Sequence, residues 1–194
     1  MKINILYIHG FNSAGRGHKS QVLQRHFPDC HIIAPTFNYY KHPELIFKQI
    51  DDVITSEAIN MVVGTSLGGF CALYASMKHR LHAVVINPAV NIAEVSHRLV
   101  GRQENFVTHE VHEFSEADAS QYTDFAVQAF DGLKADGSLL HFALSTDDEL
   151  LGDHHDLEAR FPSCHDFNYF DGQGHRFDHV ELLLPMLRRV MRLL

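Results

Sequence analysis

The run Val62-Val63-Gly64-Thr65-Ser66-Leu67-Gly68-Gly69-Phe70 passes from an apolar β segment, through Gly-x-Ser-x-Gly, into a helical pattern. A turn this tight between a strand and a helix is a nucleophile elbow. It forces the central serine into a strained backbone conformation and lifts its side chain above the sheet edge. Gly64 and Gly68 flank Ser66 because a Cβ at either place would meet the neighbouring strand or helix. The bare pattern is common, and a serine at such a junction is often only a helix N-cap. Its weight therefore rests on partners elsewhere in the chain.

Two partners occur in the order serine, acid, histidine that the elbow requires. The β-rich run Leu139-Leu140-His141-Phe142-Ala143-Leu144-Ser145 leads through Thr146 to Asp147-Asp148-Glu149. Later, Phe167-Asn168-Tyr169-Phe170 leads through Asp171-Gly172-Gln173-Gly174 to His175. Each candidate follows a predicted strand, at the carboxyl edge where open α/β sheets bind ligands. The expected roles are Ser66 as nucleophile, His175 as general base and then acid, and Asp148 as the group that orients His175. Asp147 remains an alternative; Asp148 is preferred because an acidic residue and an aliphatic pair, Glu149-Leu150-Leu151, follow it. His179 is a rival for the base but falls inside the predicted last helix. This is the arrangement of an α/β-hydrolase.

A developing oxyanion needs preorganised donors. The backbone N–H of Leu67 is one candidate, and the N–H of Phe11, in Tyr7-Ile8-His9-Gly10-Phe11-Asn12-Ser13, is the other. His9 is expected to brace that loop rather than react. Phe11, Phe37, Tyr39 and Phe70 are the apolar residues expected to line the substrate pocket. His154-His155 with Asp153 and Asp156, and the His175/His179 pair, lack the spacing of a metal site, so neither a metal nor a cofactor is expected.

The 194 residues suit one domain, 1–194, and 45% of them are hydrophobic, as in folded proteins. A net charge of -8, with no Lys/Arg cluster outside the last helix, argues against a nucleic acid or an anionic membrane as partner. No apolar run approaches the roughly 20 residues of a membrane span. The first residues read as a strand rather than a signal peptide, and the three scattered cysteines suit a reducing compartment, so the expected location is the cytoplasm. The oligomeric state is not legible.

Strand-length apolar runs alternate with helical patterns, as in βαβ units. Strands are predicted near 3–8, 31–34, 60–64, 82–87, 139–144 and 166–170. Helices are predicted near 18–27, 43–57, 67–79, 92–99, 120–131, 153–160 and 177–193, the last kinked at Pro185. The fold class is thus a three-layer αβα sandwich with a mostly parallel sheet of about six strands. Residues 91–137 interrupt the alternation and read as a small helical cap over a fairly open site.

Several stretches resemble the YqiA/YcfP group of small bacterial α/β-hydrolases. They are Tyr7 to Ser13, Gly64 to Phe70, Val84-Val85-Ile86-Asn87-Pro88-Ala89-Val90, Gly101-Arg102-Gln103-Glu104-Asn105, Thr146 to Leu151 and Gly172-Gln173-Gly174-His175. The match looks closer to the YqiA esterase branch, since the elbow serine is replaced in the YcfP branch and is present here as Ser66. The resemblance implies a serine esterase acting on small-molecule, short-chain carboxylic esters, and it favours Asp148 as the acid. Residues 109–137 depart most from the group, so substrate preference does not carry over. The alternatives are a thioesterase or other acyl hydrolase, or a non-catalytic binding protein on the same fold.

Overall fold

The computed structural model describes residues 2–152 and 154–194. The first half of the chain runs β1 (Asn4–Ile8), α1 (His18–His26), β2 (His31–Ile33), α2 (Pro43–Ser56), β3 (Met61–Thr65), α3 (Leu67–His79) and β4 (His82–Ile86). There follow α4 (Ile92–Arg98), β5 (Gly101–Glu104), β6 (Val111–Phe114) and α5 (Glu116–Ala129). The last part is β7 (Leu140–Ser145), α6 (Asp156–Arg160), β8 (Phe167–Phe170) and α7 (Leu184–Met191). Six strands form one sheet in the order β2-β1-β3-β4-β7-β8, every neighbouring pair parallel.

Side chains alternate across this sheet because successive Cβ atoms point to opposite faces. Ile5, Tyr7, Met61, Val63, Val84 and Ile86 face one way, where they pack with Leu23 and Phe27 of the α1 segment and Leu187 and Val190 of α7. Leu6, Ile8, Val62, Val85, Phe142 and Leu144 face the other way, toward Ile46 and Ile50 of α2 and Leu73 of α3. Both faces are covered, which is why the strands read as continuous apolar runs rather than alternating ones. Complete burial of each such side chain is worth about 1.5–3 kcal/mol. The chain order reverses between β1 and β3, and the loops beyond their carboxyl ends flank that switch point.

Two expectations need correction. Residues 91–137 are not purely helical: between α4 and α5 they form an antiparallel hairpin, β5–β6. Its short alternating strands carry too few apolar residues to announce themselves in the sequence. The last helix is also not continuous from 177 to 193. A 3-10 turn spans Val180–Leu183, and α7 begins at Leu184 with Pro185 in its first turn. Proline has no N–H to donate, so it starts a helix rather than bending one there.

Candidate active site

Ser66 closes β3 and opens α3 with φ 57° and ψ -121°. Positive φ is costly for a residue with a Cβ, so the surroundings must impose it. A Cβ on Gly64 would lie 2.1 Å from the Gly68 carbonyl oxygen, and one on Gly68 would lie 2.2 Å from that of Ile8. The first turn of α3 therefore rests directly on the ends of β1 and β3. With the backbone held this way, the Ser66 hydroxyl projects into a cavity above the sheet.

His175 Nε2 lies 2.9 Å from Ser66 Oγ, and its Nδ1 lies 2.9 Å from Asp148 Oδ2 and 3.0 Å from Oδ1. The Asp148 side chain is fully buried and that of His175 is 12% exposed. Burial pushes the Asp148 carboxyl up, but hydrogen bonds from His154 and His175 outweigh it and hold the group well below the usual carboxylate range. An ionised acid accepts a hydrogen bond from the Nδ1–H of His175, fixing the tautomer that leaves Nε2 free to accept from a hydroxyl.

The three consecutive carboxylates divide their work. Asp147 is exposed and accepts from Ser145 Oγ and from the backbone N–H groups of Gln173 and Gly174. Glu149 accepts from the backbone N–H of His175 at 2.8 Å. Asp147 and Glu149 thus hold the loop, and Asp148 alone meets the ring. Asn87, fully buried, ties three strand ends together: it donates to the carbonyls of Gly174 and His175 and accepts from Ser145 N–H. Exposed His179 does not reach the cavity.

His154 was not expected at the site. Its Nε2–H donates to Asp148 Oδ2 at 3.0 Å, while the backbone N–H groups of Leu150 and Leu151 donate to Oδ1. Nothing in the local pattern distinguishes His154 from the neighbouring His155, because its role depends on a residue six positions away and on a backbone turned to φ 59°.

In the loop after β1, a Cβ on Gly10 would come within 3.2 Å of Ser66 Cβ, so glycine lets the loop approach the elbow. Among the described residues, neither the Phe11 N–H nor the Leu67 N–H finds a protein acceptor. His9 braces this loop from beneath. Its Nδ1–H donates to the Gly10 carbonyl and its Nε2 accepts from Phe37 N–H at 2.9 Å, which defines a neutral tautomer. Tyr39 hydroxyl donates to the His9 carbonyl at 2.6 Å.

Burial lowers the His9 pKa to about 4, although the Gly10 carbonyl opposes the shift. An unfolded histidine takes up a proton near 6.5, so this contribution to stability is complete above that pH and is lost as pH falls toward 4. The shift corresponds to about 3 kcal/mol. Urea unfolding at pH 7 and pH 4 should show the wild type losing about this much more than His9→Gln. Equal losses would mean that His9 is not held neutral. Comparison with the variant is needed because His82 and His141 are shifted in the same direction.

The cavity has a volume of about 620 Å³. Of the four aromatic residues expected in its wall, only Phe11 is there. Phe37 and Tyr39, each 2% exposed, pack around the His9 ring, and Phe70 packs against Phe47 and Phe130. The inward-facing positions after β2 support the loop instead of reaching over it, and Phe70 lies a full helical turn beyond Ser66. The apolar wall comes from the segment between β4 and β7: Ile92, Val95, Leu99, Phe106, Phe114 and Tyr122. Gln103 accepts from Asn12 Nδ2 at 2.7 Å and Phe106 N–H donates to the Asn12 carbonyl at 2.8 Å, clamping the hairpin to the β1 loop. This wall was missed because its residues become neighbours only through the hairpin.

Among the described residues, no three His, Cys, Asp or Glu side chains gather as a metal site would require. Asp153 lies outside the described residues. No described helix is long and apolar enough to cross a membrane.

Among solved structures, Est1E of Butyrivibrio proteoclasticus, in a structure with ferulic acid bound, is 13% identical, with a TM-score of 0.67 over 98% of this chain and 88% of that one. A monoacylglycerol lipase of Paleococcus ferrophilus is 14% identical, with a TM-score of 0.68 over 97% and 94%. These likenesses establish the α/β-hydrolase fold. Among sequences, the UPF0227 protein YcfP of Salmonella gallinarum is 25% identical over 191 residues, 96% of each chain. A UPF0227 protein of Yersinia pseudotuberculosis is 26% identical over 194 residues, again 96% of each. The model of the family described as Uncharacterised protein family (UPF0227) matches residues 4–191, and the chain belongs to that family.

Proposed function

We propose that this protein is a serine hydrolase that cleaves small carboxylic esters through an acyl-enzyme on Ser66. The observation that carries this reading is the continuous hydrogen-bonded array Ser66–His175–Asp148, beside two backbone N–H groups without protein acceptors. His175 Nε2 takes the hydroxyl proton as Ser66 Oγ attacks the ester carbonyl carbon. The N–H groups of Phe11 and Leu67 receive the negative charge on the carbonyl oxygen, each such donor lowering the barrier by about 2.7–4 kcal/mol. Asp148 stabilises the imidazolium without taking its proton. The imidazolium then protonates the departing alkoxide, and water, activated by the same His175, releases the acid. A thioester would follow the same path, because the array acts on the acyl group and the pocket selects the leaving group.

Retention of Ser66 supports placing the chain with the YqiA-like members of its group, although one relative named above is a YcfP protein. Residues 91–137 act as the cap, with α4 and the hairpin supplying the apolar wall. A cavity of about 620 Å³ is of small-molecule size. A C4 ester should therefore exceed a C16 ester in kcat/KM by about tenfold or more, if the cavity excludes the longer chain. Comparable values would remove the short-chain assignment.

The reading is tested by treating the folded protein with a fluorophosphonate and locating the adduct by mass spectrometry. Labelling at Ser66, absent in Ser66→Ala, is expected. No adduct on folded protein would overturn the hydrolase reading and favour a binding role on the same fold.

A further inference from the structure

The cavity above Ser66 is not uniformly apolar. Besides the wall formed by α4 and Phe114, it is bounded by the start of α1 and by the loop that carries His175. Three permanent cations line it: Lys19, Arg98 and Arg176. Arg98 is occupied, donating to the Leu150 carbonyl at 2.9 Å and to the Glu94 carboxylate. The other two are not. Among the described residues, no carboxylate lies within ion-pair distance of Lys19 or Arg176, and neither side chain has a hydrogen-bond acceptor. The Arg176 guanidinium lies 4.6 Å from the centroid of the Phe106 ring, which orients it without neutralising it.

Two carboxylates also line the cavity. Glu149 is engaged by the His175 backbone N–H. Asp178 attracts Lys19, while Arg176 repels it, and burial is the largest influence lowering the Lys19 pKa. A partly desolvated ammonium beside a second cation, with one carboxylate beyond contact distance, is an incompletely compensated charge. The first turn of α1 adds to the same field. It carries no acidic residue and no side-chain cap, and Gly17, His18 and Lys19 all border the cavity. Among the described residues, Lys19 and Arg176 are thus cations on the cavity with no carboxylate in contact, in a chain of net charge -8.

We propose that Lys19 and Arg176 form a subsite for an anionic group, so that the ester substrate carries a carboxylate or phosphate on one side and a short apolar moiety on the other. The inference rests on the hydrolase reading and deepens it. The apolar part lies against Ile92, Val95, Leu99 and Phe114. The anion lies between the α1 start and Arg176. Neither cation touches the reacting atoms, so the subsite acts through binding and orientation.

Two ester pairs test this, because the anion can sit on the acyl or the alcohol side: monoethyl glutarate against ethyl pentanoate, and O-butyrylglycolate against ethyl butyrate. In at least one pair the anionic member should have a kcat/KM about tenfold higher, the factor expected for one charge-assisted contact. Lys19→Gln and Arg176→Gln should each lower that ratio about tenfold, and it should shrink as ionic strength rises from about 0.05 to about 0.5 M. Absence of preference in both pairs, or a preference that survives both substitutions, overturns the subsite.

A binding measurement separates this outcome from failure of the hydrolase reading. Titration of Ser66→Ala protein with 5-oxohexanoate, a ketone with no bond to cleave, should give at least about tenfold tighter binding than its uncharged counterpart 2-hexanone. The difference should be lost when Lys19→Gln is added. No turnover of any ester with that difference intact would overturn catalysis and keep the anion subsite. Equal binding of the two ketones would overturn the subsite.

Discussion

Ser66→Ala is expected to lower ester turnover by about 10⁴-fold or more while leaving the fold intact. The hydroxyl is the atom that His175 Nε2 faces at 2.9 Å, and alanine leaves nothing to form the acyl-enzyme. The substitution removes one hydroxyl from a residue that the cavity, rather than the core, surrounds. Strain at φ 57° is nearly unchanged, since alanine also carries a Cβ. Steady-state hydrolysis of a C4 ester, with circular dichroism to check folding, makes the measurement. A loss below about tenfold would mean that the observed hydrolysis does not pass through Ser66.

Asp148→Asn is expected to reduce kcat by a similar factor, about 10⁴-fold, for a reason specific to this site. The carboxylate receives four donors: Leu150 and Leu151 N–H at Oδ1, His154 at Oδ2, and His175 shared between the two oxygens. An amide has only one accepting oxygen. The two backbone donors cannot rotate away, so they claim that oxygen and leave the NH₂ facing both imidazoles. His175 must then present an unprotonated Nδ1, which moves its proton to Nε2, and an Nε2–H cannot accept from Ser66. His154 meets the same conflict, so a stability loss of about 1.5–3 kcal/mol should accompany the kinetic one. The check is kcat at pH 7 alongside urea unfolding. A folded variant with kcat within tenfold of wild type would remove Asp148 from the orienting role.

Much of this arrangement is legible in one dimension. The elbow is local: strand, glycine, serine, glycine and helix adjoin in sequence, and steric crowding over these residues forces the turn. The six sheet strands are equally legible, because a parallel sheet covered on both faces needs unbroken apolar runs. The order serine, acid, histidine follows from the chain's repeated return to one sheet edge. What separates Asp148 from Asp147 is not local. Both end the same strand, and the difference is that Asp148 turns under the loop into full burial while Asp147 stays exposed beneath Gly174.

The cavity wall was out of reach for a related reason. Phe37, Tyr39 and Phe70 are aromatic and close in sequence to the loops that form the site, yet they serve its foundation around His9 and α3. The wall itself is drawn from α4, the hairpin and α5. Likewise Asn87 and His154 carry no local sign of their hydrogen bonds to the His175 loop and to Asp148. By itself, the sequence determined the sheet, the elbow and the three strand ends that could carry its partners, because those depend on periodicity and backbone sterics among near neighbours. Only the tertiary structure decided which carboxylate meets His175, which side chains enclose the cavity and which cations border it with no carboxylate in contact among the described residues. Those outcomes depend on direction and burial, and both are set by packing between segments far apart in the chain.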